Sequence, residues 1–254
     1  KNAIIGIQVD TLENTSKPTL LLSNSRIENM TSAGIYARGS TIEAYNNVIA
    51  NCGQYALALT IGGSYEFYHC TIGNYWGYST RTTPSVVLNN YYYDINRNLQ
   101  ERPIEKALFG NCIIYGNKES EVVIDKFDEV ELNYKFDHTL IKVDKDFSTS
   151  DPIYFENVIV NKDPNFKDPY AGNYELDTLS VAKDKGKKEF GVQFPYDLNQ
   201  EAIISPEEVV YLLETVNHLF PGLKVKKDDI IATVAGIRPV VDSGKEDPSK
   251  ESRD

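Results

Sequence analysis

A four-residue pattern recurs along the chain: a polar residue, then Ser, Asn, Cys or His, then any residue, then Ile or Leu. It reads Asn24-Ser25-Arg26-Ile27, Asn46-Asn47-Val48-Ile49, His69-Cys70-Thr71-Ile72, Asn111-Cys112-Ile113-Ile114, Asp137-His138-Thr139-Leu140 and Glu156-Asn157-Val158-Ile159. Counted at the second position, the steps are 22, 23, 42, 26 and 19 residues, and 42 is close to two steps. A short unit of this kind cannot bury its own apolar face. A period near 22 residues therefore means one supersecondary unit stacked on copies of itself.

Around the pattern the residues alternate and favour β-branched and aromatic types, as in Tyr65-Glu66-Phe67-Tyr68-His69-Cys70-Thr71-Ile72. A second signature follows about nine residues on, at Gly34-Ile35-Tyr36-Ala37 and Ala56-Leu57-Ala58-Leu59, and Gly6-Ile7-Gln8-Val9 repeats it earlier. Its Gly or Ala marks a tight turn into a strand. A coil of this length holds three short strands and three turns. Stacking pairs each strand in parallel with its copies and lines up like residues in ladders. The expected fold is all-β, a right-handed parallel β-helix. Ile27, Ile49, Ile72, Ile114, Leu140 and Ile159 form one expected apolar ladder. Asn47 and Asn157 are expected in a polar turn ladder, bonding the backbone of the adjacent coil. Cys70 and Cys112 share a repeat position and read, with Cys52, as buried thiols rather than a metal set.

The interval 76–103 breaks the period and contains Tyr91-Tyr92-Tyr93. It reads as one irregular coil plus a loop thrown out from the body, and such insertions often carry a solenoid's specific surface.

The net charge of -11 disfavours a nucleic-acid groove, and no apolar run is long enough to cross a bilayer. Seventeen tyrosines against a single Met lean towards an extracellular β-protein. The chain opens at Lys1-Asn2-Ala3 without an initiator Met, which reads as a mature or trimmed piece.

The stretch 161–191 contains Asp163-Pro164-Asn165-Phe166, Asn173-Tyr174-Glu175-Leu176 and Ser180-Val181-Ala182-Lys183-Asp184-Lys185-Gly186. It resembles the closing segment of bacterial cell-surface β-helix proteins of Bacteroidetes type, with Val181 where that pattern usually has Pro. The resemblance covers about residues 1–199 and implies a secreted or surface-exposed protein without naming a reaction.

The pattern changes after Asn199. Ser205-Pro206-Glu207-Glu208 opens a helix with a capping box, Val209, Leu212, Leu213 and Val216 form its stripe, and Pro221-Gly222 ends it. The segment 204–254 resembles an internal piece of FAD-dependent glycerol-3-phosphate dehydrogenases. The likeness rests on Tyr211-Leu212-Leu213-Glu214, Val216-Asn217, Phe220-Pro221, Ala235-Gly236-Ile237-Arg238-Pro239 and Pro248-Ser249 with Ser252-Arg253-Asp254. It implies that Arg238 and Arg253 hold a phosphate, which suits guanidinium forks. No Gly-x-Gly-x-x-Gly turn for a dinucleotide accompanies it, so 200–254 reads as an inactive helical appendage, by fusion or, in the competing account, as a natural continuation with a coincidental likeness. FAD is expected only in a complete enzyme, and no cofactor or metal is expected here.

Residues one coil apart lie about 4.8 Å from each other. Asp137 and Glu156 precede the repeat position in consecutive coils and are the candidate catalytic acid pair, since glycoside hydrolysis needs converging carboxylates. Solvated acids on a strand face are the competing account. The acidic run Asp125, Asp128, Glu129 and Glu131 reads as a solvated edge, and His69 and His138 as ladder residues. Trp76, Tyr91, Tyr92 and Tyr93 are the candidate ligand-binding aromatics, a platform for sugar rings, against packing of the insertion on the coils. The leading expectation is a non-enzymatic surface module that binds a polysaccharide or a cell-surface protein. A polysaccharide lyase or hydrolase is the rival reading.

Overall fold

The computed structural model describes residues 3–10, 18–193, 206–219, 224, 226 and 227. The chain divides into two compact units, Lys1–Leu198 and Asn199–Asp254.

Six coils stack in the first unit. Coil 1 holds β1 (Ile5–Val9), β2 (Leu20–Ser23) and β3 (Arg26–Glu28); coil 2 holds β4 (Ala33–Tyr45) and β5 (Val48–Ala50). Coil 3 holds β6 (Tyr55–Tyr68) and β7 (Thr71–Asn74). Coil 4 holds β8 (Val86–Asn89), a hairpin of β9 (Tyr91–Tyr93) and β10 (Leu99–Glu101), then β11 (Ile104–Gly110) and β12 (Ile113–Gly116). Coil 5 holds β13 (Val122–Asp125), β14 (Leu132–Asp137) and β15 (Leu140–Ile141), and coil 6 holds β16 (Phe155–Glu156) and β17 (Ile159–Val160).

Every strand pairing between coils is parallel. One face runs β1, the first half of β4, the first half of β6, β8 and β13. A second runs β2, the later halves of β4 and β6, β11, β14 and β16. The third runs β3, β5, β7, β12, β15 and β17.

The polar first residue of the repeat has a backbone reason. Asn24, Asn46, His69, Asn111, His138 and Asn157 all have φ between 48° and 53°, a left-handed corner that Asn tolerates better than most side chains. The same hydrogen bond recurs at each interface, from the N–H of Asn24, Asn46, His69, Asn111 and His138 to the next coil's carbonyl, 2.8–3.2 Å away.

Inward ladders fill the core. Phe67, Phe109, Phe136 and Phe155 stack nearly parallel at 5.0–5.7 Å. Ile27, Ile49 and Ile72 continue to Ile114 as expected. The ladder then passes through Ile141 and Val160, not Leu140 and Ile159, because Ile114 pairs with Ile141 and Ile141 with Val160. A one-residue slip turns a side chain to the other face. Leu140 and Ile159 point outward and are apolar because a later segment covers them. His138 and Asn157 accordingly occupy the corner, one place earlier than the spacing suggested.

Asn47 does bond the neighbouring coil, receiving the Ser25 N–H and donating to the Leu22 carbonyl. Asn157 instead donates its side-chain amide to His138. The 42-residue step is one coil, not two: β7 pairs directly with β12, and β6 with β11. Residues 75–85 and the antiparallel β9–β10 hairpin lengthen that coil without adding a layer. Gly6 and Gly34 answer to close stacking rather than to a turn. A Cβ on Gly34 would lie 2.6 Å from the Ala56 carbonyl oxygen.

Residues 161–193 form a strap over the third face. It contains an antiparallel pair, β18 (Phe166–Asp168) and β19 (Asn173–Leu176), and the short helix α1 (Lys188–Gln193). Tyr174 is buried, packs on Gly73 and donates its hydroxyl to Asn51 Oδ1 at 2.8 Å. Arg26 donates to the Gly172 carbonyl. Leu176 and Ala182 share one gap with Ile113, Leu140 and Ile159. In the second unit, α2 spans Pro206–Leu219, and the expected cap Ser205 lies outside the described residues.

Candidate functional site

The two expected acids do converge. Asp137 and Glu156 are register partners on β14 and β16. Asp137 is buried and Glu156 partly exposed. Lys187 of the strap places Nζ 3.1 Å from Asp137 Oδ2 and 3.5 Å from Glu156 Oε1, and Lys135 donates to the other Glu156 oxygen. His138 Nδ1 lies 2.6 Å from Asp137 Oδ1, while its Nε2 faces the Asn157 amide.

The surrounding charges set the chemistry of this cluster. The Lys135 ammonium, seconded by Lys187, holds Glu156 below the ordinary carboxylate range. Asp137 in turn pushes Lys187 upward. A general acid must keep a proton near neutral pH, which needs a shift in the opposite direction. Asp137, His138 and Glu156 are also the one group of metal-ligating type among the described residues, with ligand atoms within 4.8 Å of one another. The Lys187 ammonium already lies against both carboxylates, so a bound cation would have to displace it.

The four expected aromatics do not form one platform. Tyr91 and Tyr92 line a cleft of ≈ 420 Å³ with Asp10, Tyr36, Arg38 and Arg102. Trp76 is buried and lines a different recess. Tyr93 is exposed and packs edge-on against Tyr91, 6.1 Å between centroids.

The cleft floor follows from strand alternation. On β4, Ile35 and Ala37 point inward while Tyr36 and Arg38 point out. Arg38 pairs with Thr60, Thr60 with Asn89, and Asn89 with Asp125, one polar row along the coil axis. Asp10 extends the row with a 2.7 Å ion pair to Arg38 Nε, and that hydrogen bond holds Asp10 below the usual carboxylate range. The Arg38 guanidinium lies 5.8 Å from the Tyr36 ring centroid. One wall is the hairpin, where the Tyr91 hydroxyl donates to Asp125 Oδ1 and its ring packs on Phe127.

Tyr36, Arg38, Asp10 and Arg102 escaped the sequence reading. Alternation in the second signature carried the signal for Tyr36 and Arg38. Arg238 and Arg253 lie outside the described residues.

A profile of right-handed β-helix regions matches residues 5–140, more than half of the 254. The chain belongs to that family. The match covers coils 1 to 4, nearly all of coil 5 and the residues that line the cleft. The β-helix chain is also similar to aerobic glycerol-3-phosphate dehydrogenases: 37% identical over 71 residues to that of Staphylococcus epidermidis, 27% of this chain and 13% of the relative. It is 39% identical over 51 residues to that of Staphylococcus haemolyticus, 20% of this chain and 9% of the relative. The chain thus spans about an eighth or less of the curated relatives it matches. No solved structure matches this β-helix chain.

Proposed function

We propose that this β-helix module binds carbohydrate, without catalysis, in the cleft between the β9–β10 hairpin and the outer face of coils 1 to 4, and that it does so outside the cell or at its surface. The observation that carries the reading is the row of polar side chains bordered by Tyr36, Tyr91 and Tyr92. Sugar rings offer C–H faces to aromatic rings and hydroxyls to charged or amide groups, and this cleft holds both kinds of partner at fixed spacing. Asp10 holds Arg38 in place on the cleft floor, where a guanidinium suits hydroxyl or carboxylate oxygens.

Titration calorimetry against neutral and acidic oligosaccharides tests it. Tyr92→Ala is expected to weaken binding of the acidic oligosaccharides about tenfold, the size of one lost aromatic contact, with no reducing ends released by the parent protein. Unchanged binding of the acidic oligosaccharides in Tyr92→Ala would overturn the cleft as the site.

The convergence of Asp137 and Glu156 favours a second reading, a lyase or hydrolase. It predicts product release that Asp137→Asn or Glu156→Gln abolishes. The dehydrogenase-like segment is proposed to be inactive in this chain, which lacks the Gly-x-Gly-x-x-Gly turn, and a yellow flavin-bearing preparation that oxidises glycerol 3-phosphate would refute that.

A further inference from the structure

Trp76 belongs to a second recess, at another corner of the coil stack. It has a volume of ≈ 270 Å³ and is lined by Asn29, Asn51, Tyr75, Trp76, Tyr78 and Tyr170, with Gly77 between. Two of these rings stand in water, Tyr78 at 80% exposure and Tyr170 at 69%. Each rests on a second aromatic: Tyr78 meets Trp76 edge-on at 4.9 Å, and Tyr170 meets Tyr75 at 5.3 Å.

The supporting rings are held in turn. Trp76 donates its indole N–H to Ser79 Oγ and lies over Gly53, where a Cβ would come within 3.4 Å of the indole. Tyr75 packs on Phe166 and Tyr174, and its N–H donates to Asn51 Oδ1. The strap is already anchored by Tyr174, by the Gly172 carbonyl and by Asn51. Attaching it does not need the outer faces of Tyr78 or Tyr170. Two buttressed rings thus remain open to solvent beside the Asn29 side chain.

We propose that this recess is a second carbohydrate site, one that takes a neutral sugar chain by stacking on Tyr78 and Tyr170. Its lining carries no Lys, Arg, Asp or Glu, in contrast to the cleft with Asp10, Arg38 and Arg102. Pre-set aromatic faces bind sugar at small entropic cost, and amides such as that of Asn29 supply hydroxyl partners without charge. The recess is smaller than the roughly 300–1,000 Å³ of a pocket that swallows a drug-sized ligand, so it holds a chain segment along one side. The site stands on its own residues and does not depend on the cleft.

The test is calorimetric titration of the full chain with cellohexaose, xylohexaose, mannohexaose and trigalacturonate. At least one neutral hexasaccharide is expected to bind, and to keep binding in Tyr92→Ala. Tyr78→Ala and Tyr170→Ala should each weaken that binding about tenfold while leaving the thermal melt unchanged, and Tyr78→Phe should restore it. Three outcomes overturn the proposal: no neutral hexasaccharide binds; neutral binding is lost in Tyr92→Ala but not in Tyr78→Ala; or neither Tyr78→Ala nor Tyr170→Ala weakens it. Trigalacturonate binding that depends on Tyr92, with no neutral hexasaccharide bound, would leave the cleft reading intact while the second site fell.

Discussion

Six corner residues share one strained backbone setting, and their chemistry explains which side chains the repeat admits. Asn46→Gly is expected to be nearly neutral, whereas Asn46→Val should cost about 1–3 kcal/mol, because a β-branched residue resists positive φ. Urea midpoints of the two variants check this. Phe109 stacks between Phe67 and Phe136 with no exposed area, so Phe109→Ala should cost about 3–5 kcal/mol by the same measurement. Glu121 is a residue that periodicity could not find. It is fully buried, with Arg81 bonded to both carboxylate oxygens and Ser85 to one of them. Glu121→Ala strands the Arg81 guanidinium without its counter-charge, and a loss of about 3–5 kcal/mol is expected in the same unfolding series.

At the scale of elements, the strap decides which outward residues are apolar and which acids are neutralised. Lys187 ties it to Asp137 and Glu156, and the Asn111 side chain ties it again through the Lys187 backbone at 2.7 and 2.9 Å. Asn111→Gly keeps the left-handed corner and removes only the second tie. Glu156 is held below its ordinary value of 4.5 by Lys135 and Lys187. A depressed carboxylate stabilises the folded form fully above its unfolded value. That contribution is lost as pH falls through the lower, folded value. Hydrogen exchange in 180–193 should therefore be slow at pH 6 and accelerate below about pH 4, relative to the core strands. Lys187→Met should show the faster exchange already at pH 6. Equal protection at both pH values in the parent protein would mean that the ion pairs do not hold the strap. The motif at Pro164, Tyr174, Ser180 and Gly186 was legible as a unit. Its packing against coils 1 to 4 was not, because the contacts bridge residues as far as 146 apart.

For the coil stack as a whole, the question is whether the layers melt together. Each coil touches only its neighbours, which favours piecewise unfolding in a solenoid. Here the strap contacts β3, the Asn111 corner before β12, and β14 as well as the last coils, and the Phe ladder runs unbroken through coils 3 to 6. The single Trp, Trp76, is buried beside coil 4. Its fluorescence and the far-UV dichroism of the strands should therefore lose native signal at the same denaturant concentration. Separated transitions would show that the coils unfold in blocks.

The spacing of Asn24, Asn46, His69 and Asn111 was enough to specify parallel stacking, and the alternation in each strand was enough to place most of the core, because both reflect local geometry repeated at each layer. The same local rule misplaced Leu140 and Ile159, since outward residues turn apolar once something covers them, and the cover comes from a distant part of the chain. Convergence of Asp137 with Glu156 was readable from coil spacing, whereas the lysines that neutralise them were not. The separation of Trp76 from Tyr91 and Tyr92, fifteen and sixteen residues further on, depended on which way each insertion leaves the coil, and nothing in a periodic pattern records the path of its interruptions.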